Sequence, residues 1–404
     1  MKLSVSKDEM QEKLSNIQNI AEKRNTMPIL SHFLLDAGKK GSYIVATDIE
    51  TALKEPLDVE VEKEGKLCIP ARKLLEIVRE MEGDLSFESV DEQWLKVRAG
   101  SSDFRLACLP PSEFPAWPAL GDAEEIIIDA PILMEMIEKT IYSAGESDTR
   151  YTLNGLLFHV KPQDKSLTIV GTDGHRLALI IRQMDGSDRL KEEKKIIVPR
   201  KAVSELRRFL PTSSASGGEE KEMERVKILI GEKHLLFSVG SSTFLRQAQD
   251  RQAHGEPVEP QPKADGGVQF LTRLIEGTYP NYENVIPLAN EKKMLIERNT
   301  FAKVLRRVSV MSRERASAVR VDIGEEKLVV SSSNPDIGEA REEIAVEYKN
   351  DKLSLGFNAR YVIDVLGAMT TEKVILELQD PLSPVLLKED GNENYKCVIM
   401  PMRI

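Results

Sequence analysis

The sequence predicts an α+β protein built from three tandem copies of one domain, each with two helices and an antiparallel sheet. Three observations predict it. Cys68-Ile69-Pro70-Ala71-Arg72-Lys73-Leu74-Leu75 recurs as Ile196-Ile197-Val198-Pro199-Arg200-Lys201-Ala202-Val203, and more loosely as Leu355-Gly356-Phe357-Asn358-Ala359-Arg360-Tyr361-Val362. A second marker precedes each copy: Thr47-Asp48, then Thr172-Asp173, then Ser333-Asn334. The length of 404 residues accommodates three domains. The copies divide as 1–122, 123–292 and 293–404.

Each copy opens with a strand that runs into a helix. These helices are expected from Lys7 to about Arg24, from Pro131 to about Ala144, and from Thr300 to about Ser312. Ile132, Leu133, Met136, Ile137 and Ile141 lie on one helical stripe in the second of them. Ser6 and Asn299 are the expected N-caps of the first and third. Alternating strands follow, such as Lys327-Leu328-Val329-Val330. The second helix of each copy then starts at Pro70, Pro199 or Asn358. Helices and antiparallel strands segregated in this way make an α+β unit.

The repeat also locates an insertion. Pro70 and Pro199 are 129 positions apart, whereas Pro199 and Asn358 are 159 apart. Phe244-Leu245-Arg246 is echoed by Phe270-Leu271-Thr272-Arg273, 26 positions later. The intervening Gln247–Gly267 stretch holds three Pro, three Gly and almost no large apolar residue, so it cannot bury a core. It reads as a disordered insertion over about 246–269 that duplicated its own flank. Pro211 to Arg225 reads as a mobile hairpin loop.

Composition narrows the function. Apolar residues make up 41% and aromatics 5%, so the cores rest on Leu, Ile and Val. The net charge of −10 argues against a chain coated by nucleic acid, unless its positive charge is concentrated on one surface. Cys68, Cys108 and Cys397 have no ligand spacing and read as reduced packing residues of a cytoplasmic protein. No apolar run is long enough to span a bilayer. Nucleotide cradles and hydrolase or metalloprotease motifs are absent, and no cofactor or metal is expected.

Asp173 and His175 admit two readings: a general-base pair of a hydrolase, or a turn lining a binding surface. The repeat favours the turn, because Thr47-Asp48 and Asn334-Pro335 hold the same place without histidine. Basic pairs recur at helix ends: Lys23 and Arg24, Arg72 and Lys73, Arg200 and Lys201, Arg207 and Arg208, Arg306 and Arg307, Arg313 and Arg315. Presented to one side, they would attract phosphates without reading bases. The terminus Met400-Pro401-Met402 follows a strand with adaptable thioethers, a composition suited to varied apolar ligands.

Arg150-Tyr151-Thr152-Leu153-Asn154-Gly155, Thr172-Asp173-Gly174-His175-Arg176-Leu177, Gly277-Thr278-Tyr279-Pro280-Asn281-Tyr282, Phe357-Asn358-Ala359-Arg360-Tyr361-Val362 and Val398-Ile399-Met400-Pro401-Met402-Arg403-Ile404 resemble the hallmark segments of the bacterial DNA polymerase III beta subunit, the replicative sliding clamp. The resemblance covers the whole chain except the insertion. It implies a DNA clamp fold and a head-to-tail homodimer that closes into a ring around duplex DNA, without sequence specificity. It implies a processivity factor, not an enzyme. Its implied partners are the replicative polymerase catalytic subunit, the clamp loader and other proteins carrying a clamp-binding peptide, with no membrane.

By the same resemblance, Arg24, Arg72, Lys73, Tyr151, Arg200 and Lys201 face DNA. Leu153, Thr172, Gly174, His175, Arg176, Leu177, Pro280, Val285, Asn334, Val398, Ile399, Met400, Pro401, Met402 and Arg403 form the peptide pocket. Phe104 and Leu106 of one copy meet Val310 and Met311 of the next. Thr152 departs from the family pattern, where an aromatic is common.

Overall fold

The computed structural model describes residues 1–21, 27–89, 91–184, 190, 192–210, 225–240, 267–312 and 317–403. They form two compact units that do not follow the repeat boundaries. The first takes in Met1–Pro131 and Glu205–Leu274; the second takes in Ile132–Met184, Leu190–Ser204 and Ile275–Ile404.

The first unit holds two sheets. One has five strands in the order Glu60–Lys63, Lys2–Val5, Leu85–Ser89, Trp94–Ala99, Ser102–Ala107. The other has eight: Glu124–Asp129, Arg225–Ile230, His234–Val239, Val268–Arg273, Thr51–Leu57, Ser42–Thr47, His32–Ala37 and Gly65–Pro70. The last four belong to the first repeat and the others to the second. They join where Gln269–Thr272 pair antiparallel with Thr51–Lys54.

The second unit repeats the design. Its eight-stranded sheet runs Lys194–Pro199, Gly155–Lys161, Ser166–Thr172, Arg176–Gln183, Asn392–Ile399, Val385–Glu389, Lys373–Leu378, Lys292–Glu297. Here the join is between Arg176–Ile180 and Tyr395–Ile399. A four-stranded sheet runs Gly338–Ala345, Lys327–Asn334, Ala318–Gly324, Leu353–Asn358.

The second helices start where the repeat places them: Ala71–Glu80 behind Pro70, Arg200–Leu206 behind Pro199, and Ala359–Ala368 behind Asn358. Asn358 caps its helix by accepting the Arg360 N–H at 3.0 Å. The first helices are shorter than the periodicity predicts. The helix Lys7–Ile17 is capped by Ser6, which accepts the Glu9 N–H at 3.2 Å. It ends at Ile17 because the chain turns there to bury Ile20 and Ala21. The helix Ala130–Glu138 ends where the Thr140 hydroxyl donates back to Met136 O at 2.7 Å, competing with the main-chain ladder. The expected cap Asn299 lies inside the helix Arg298–Ser309. Glu297 takes its place, because both of its carboxylate oxygens reach first-turn N–H groups, those of Asn299 and Thr300, at 2.9 and 2.5 Å.

The echo of Phe244-Leu245 is resolved in favour of the second copy. Val268–Arg273 is a regular strand, and Phe270 lies between Phe237 and Leu53 in the sheet. Val268 and Gln269, expected to end the insertion, instead pair with Val239 and Ser238. Residues 246–266 of the expected insertion and 211–224 of the expected loop lie outside the described residues, and Arg225, expected to end that loop, opens the strand Arg225–Ile230.

Two buried acids are served very differently by their surroundings. In the second unit the Glu389 carboxylate accepts both the Lys139 ammonium, at 2.8 Å, and the Thr370 N–H, at 2.6 Å. Those partners hold its carboxyl below the usual range although burial opposes them. Glu55 in the first unit is less well served. It is 1% exposed, accepts from Asn16 at 3.0 Å, lies 3.9 Å from Lys13, and its second oxygen has no partner among the described residues. Burial pushes its carboxyl up to about 7.

Because that value exceeds the unfolded one, the protonated acid favours the fold. The contribution is complete below about pH 4.5 and is lost as pH rises through about 7. Glu55→Gln should therefore stabilise the protein by about 1–3 kcal/mol near pH 8. The gain should shrink by more than half near pH 5, and thermal melts at the two pH values check this; equal gains would contradict it. Deleting Leu245–Phe270 places Phe244 directly before Leu271 and rebuilds Phe-Leu-Thr-Arg, with Ser242 and Thr243 taking the places of Val268 and Gln269. The deletion variant should melt within about 2 °C of the full chain, since the buried Phe and Leu positions of the strand keep their side chains.

Candidate peptide-binding site and family

The second unit gathers most of the predicted pocket residues at the join of its eight-stranded sheet. Arg176 sits opposite Ile399, and Leu177 opposite Val398. This register carries the terminal segment past the 172–175 turn, where Met400 N–H donates to His175 O at 2.9 Å. Two residues on, Met402 N–H donates to Gly356 O at 2.8 Å, so the Met400-Pro401-Met402 segment is pinned at both ends. Leu153, Leu177 and Val398 share one buried cluster with Leu157, Val170, Leu179, Ile197, Leu386, Tyr279 and Tyr282. Ile181, Ile275 and Ile286 pack against its edge. Met400, Pro280 and Val285 stay exposed.

The turn is built by its own side chains. The Thr172 hydroxyl donates to Arg176 O at 2.6 Å and accepts the Gly174 N–H at 3.1 Å. Asp173 Oδ1 accepts the N–H groups of His175 and Arg176 at 2.9 and 3.0 Å. Gly174 has φ of 84°, and a Cβ there would lie 2.7 Å from the Arg150 guanidinium, so glycine is required twice over. Arg150 closes over the turn, donating to Asp173 O at 2.9 Å and to Asp148 at 2.9 and 3.0 Å. That guanidinium lowers the Asp148 carboxyl to about 2.

Arg176 is the hub of the site. Its side chain is only 10% exposed and bonds Asp173 at 3.0 Å, Asp364 at 2.6 Å and Tyr142 O at 2.6 Å. It also lies over the Tyr361 ring at 4.4 Å, while His175 stacks on the same ring at 6.4 Å and 19°. A buried guanidinium with three acceptors is satisfied and stiff. The hydrolase reading of Asp173 and His175 fails on this geometry, because Asp173 is committed to main-chain N–H groups and Arg176, not to the imidazole. No group of three or more metal-ligating side chains occurs among the described residues.

The first repeat offers an internal comparison. Its 47–51 turn has the same wiring: Thr47 donates to Thr51 O at 2.8 Å and accepts the Ile49 N–H at 3.0 Å. Ile49 takes φ of 78° where the second repeat has Gly174. Arg273 N–H donates to Glu50 O at 2.8 Å, matching Met400 and His175. Ala52, Leu236 and Leu271 pack where Leu177, Leu386 and Val398 pack. The main-chain cradle is thus common to both joins. The Gly-His-Arg trio belongs to one.

The remaining predicted residues divide. Asn334 is buried and accepts the Asp336 N–H at 3.0 Å, which makes it a turn residue of the third repeat. Neither Asn334 nor Arg403 belongs to the pocket cluster of described residues. Tyr151 is 60% exposed. Arg72 and Lys73 are exposed and both pair with Glu76, at 3.3 and 2.5 Å. Lys201 is exposed, whereas Arg200 is partly buried and holds Ala144 O at 2.8 Å and Glu146 at 2.9 Å. Arg24 lies outside the described residues. Phe104 and Val310 are exposed, Val310 74% so, Met311 is partly buried, and Leu106 is buried beneath its own sheet. Tyr361, Asp364, Tyr142 and Arg150 escaped the sequence reading as site residues. The one available signal was an aromatic and a carboxylate three positions apart on a helix whose apolar face is Ala359, Val362, Val365 and Leu366.

Three domain families match end to end. Residues 1–118 match the DNA polymerase III beta subunit, N-terminal domain; 128–250 match its central domain; 283–403 match its C-terminal domain. The beta sliding clamp of Pseudomonas putida is 32% identical over all of both chains. The chain belongs to the DNA polymerase III beta subunit family. Like other members of this family, it is a sliding clamp, a non-catalytic processivity factor for DNA replication. The Caulobacter vibrioides clamp is 30% identical, again over the full length of both chains. Among solved structures, the DNA polymerase sliding clamp of Pseudomonas aeruginosa superposes with a TM-score of 0.86 at 29% identity, covering all of both chains. The sliding clamp of Bartonella birtlesii bound to griselimycin gives 0.86 at 32% identity with the same coverage.

Proposed function

We propose that two copies close head to tail into a ring around duplex DNA, and that the site at the Arg176–Ile399 join tethers the replicative polymerase, the clamp loader and other partners by a short peptide. The observation that carries this reading is the pattern of sheet edges. In each repeat the first sheet ends on one strand (Thr51–Leu57, Arg176–Gln183, Gly338–Ala345) and the second on another (Ser102–Ala107, Val268–Arg273, Asn392–Ile399). Two of these six edges are joined to each other at each internal boundary. Of these six, Ser102–Ala107 and Gly338–Ala345 are the two that keep one side unpaired among the described residues. They are the complementary kinds of edge, and a second copy supplies each with its partner. Open edges of this sort invite pairing, and a heterologous pairing that closes on itself makes a ring.

Phe104 and Leu106 then meet Val310 and Met311 of the next copy, with Phe104 and Val310 contributing exposed apolar surface. The repeat boundaries 1–122, 123–292 and 293–404 fit this scheme. Arg72, Lys73, Tyr151, Arg200 and Lys201, with Arg24, make the DNA-side wall. Leu153, Leu177 and Val398 floor the pocket, and His175, Pro280, Val285, Met400, Pro401 and Met402 rim it, with Thr172, Gly174, Arg176 and Ile399 supporting the rim. Asn334 and Arg403 complete the proposed pocket. Apolar side chains of the peptide enter the cleft while its main chain is fixed by polar groups. No helix among the described residues is long and apolar enough to cross a membrane. The proposed place of work is the cytoplasm, where the encircled DNA lies.

Once loaded on nicked circular duplex, the protein should be retained and should be released when the circle is cut. Release at equal rates from circular and linear DNA would overturn the ring. Griselimycin, a ligand of the related clamps, should bind the pocket. His175→Ala should weaken it about tenfold in isothermal titration, a loss typical for one well-packed aromatic contact; unchanged affinity would move the site elsewhere.

A further inference from the structure

Among the described histidines, His159 is the one whose ring is enclosed. It sits in the strand Gly155–Lys161 and is 1% exposed. Its Nε2 lies 2.5 Å from Glu193 Oε1 and its Nδ1 lies 2.7 Å from the Tyr282 hydroxyl. A carboxylate offers acceptors only, which puts the ring proton on Nε2 and leaves Nδ1 to accept from Tyr282. One neutral tautomer therefore satisfies both partners. The Tyr282 ring also meets the imidazole edge to face at 5.9 Å.

Tyr282 is a member of the pocket-floor cluster with Leu153, Leu177, Val398 and Tyr279. It begins the 3-10 turn Glu283–Val285, which carries the rim residue Val285. The other anchor of this loop is Tyr279, whose hydroxyl donates to Val170 O at 3.3 Å. Tyr282 has a second acceptor available, Glu283 Oε1, at 3.4 Å. The charged groups facing the imidazole are Glu193 and Lys195 from the 192–199 segment, Lys161 from its own strand and Glu283 from the loop. They pair as Lys195–Glu193 at 3.4 Å and Lys161–Glu283 at 3.3 Å. The strand on its other side places Thr168, uncharged, opposite His159. Burial holds the imidazole below its usual range, against the pull of Glu193.

We propose that His159 is a positioning residue of the peptide pocket: neutral, it accepts from Tyr282 and fixes the 279–285 loop, and on taking a proton at Nδ1 it reverses that hydrogen bond and re-aims the loop. Protonation turns Nδ1 into a donor to the Tyr282 oxygen, so the Tyr282 hydroxyl proton must turn away, toward Glu283. The loop then has two hydrogen-bonded arrangements, and the protonated one draws Tyr282 toward a Glu283 carboxylate already shared with Lys161. The inference rests on the pocket reading above.

The test is griselimycin affinity of the full chain by isothermal titration at about pH 7.5 and about pH 5.5. His159→Gln keeps a donor and an acceptor without a titrating proton. Its own affinity at the higher pH is the reference against which its pH slope is read. The parent should weaken about fivefold more than His159→Gln on acidification, the worth of one buried hydrogen bond. Tyr282→Phe, which keeps the ring, should also lose this extra pH dependence. His175 is present in all of these proteins and cancels in the comparison. Equal pH slopes for the parent and either variant would overturn the proposal. If instead His175→Ala binds griselimycin unchanged, the pocket reading itself fails, whereas failure of the His159 proposal leaves the His175→Ala defect in place.

Discussion

The pairing of Arg176–Ile180 with Tyr395–Ile399 is the constraint on which the site depends. Each main-chain hydrogen bond in it contributes only about 0.5–1.5 kcal/mol net. Its consequence for placement is larger. With Arg176 opposite Ile399, Val398 points into the cluster of Leu177 and Leu386, and Met400, two positions on, reaches the His175 carbonyl. A slip of one position would exchange the faces of Val398 and Ile399 and put Ile399 into that cluster. The Arg176 hub follows from the same pairing, since it needs the middle repeat's Asp173 and the last repeat's Asp364 within one arm's length. A pocket made from two repeats is thus a by-product of extending a sheet across their boundary.

The repeats were legible because they write the same local chemistry three times. Pro70, Pro199 and Asn358 each end a strand and open a helix, and a local signal of that kind survives divergence. Helix ends were less legible. Nothing local announces that Ile17 must stop so that Ile20 can be buried, or that Glu297 caps in place of Asn299. For the site, His175 and Met400 stood out because they break the repeat. Arg176's partners did not, because Asp364 lies 188 positions away and only the sheet brings it close. His159 was invisible for the same reason. On paper it is a lone histidine in an apolar strand, and its two partners come from separate connections.

The charge pattern qualifies the DNA-side wall. Arg72 and Lys73 share Glu76, Arg200 is held by Glu146, and Arg307 is paired with Glu342. These surface pairs are each weak, near zero to about 1 kcal/mol, and screened by salt. They lower the positive potential without abolishing it. A wall that binds phosphates loosely suits a protein held on DNA by closure, since tight contacts would have to be broken at every step of sliding. The net charge of −10 is compatible with this, because only the proposed DNA-side wall needs to be positive.

The three thiols have a practical consequence. Cys68, Cys108 and Cys397 are unpaired and buried, and burial pushes Cys68 and Cys108 up to about 12 and Cys397 up to about 11. Maleimides and iodoacetamides react with the thiolate, which is nearly absent in such surroundings at neutral pH. The native chain is therefore a silent background for site-specific labelling. A single cysteine introduced at Leu288, which is 98% exposed, would carry a fluorophore or a crosslinker alone, with the natural cysteines left in place.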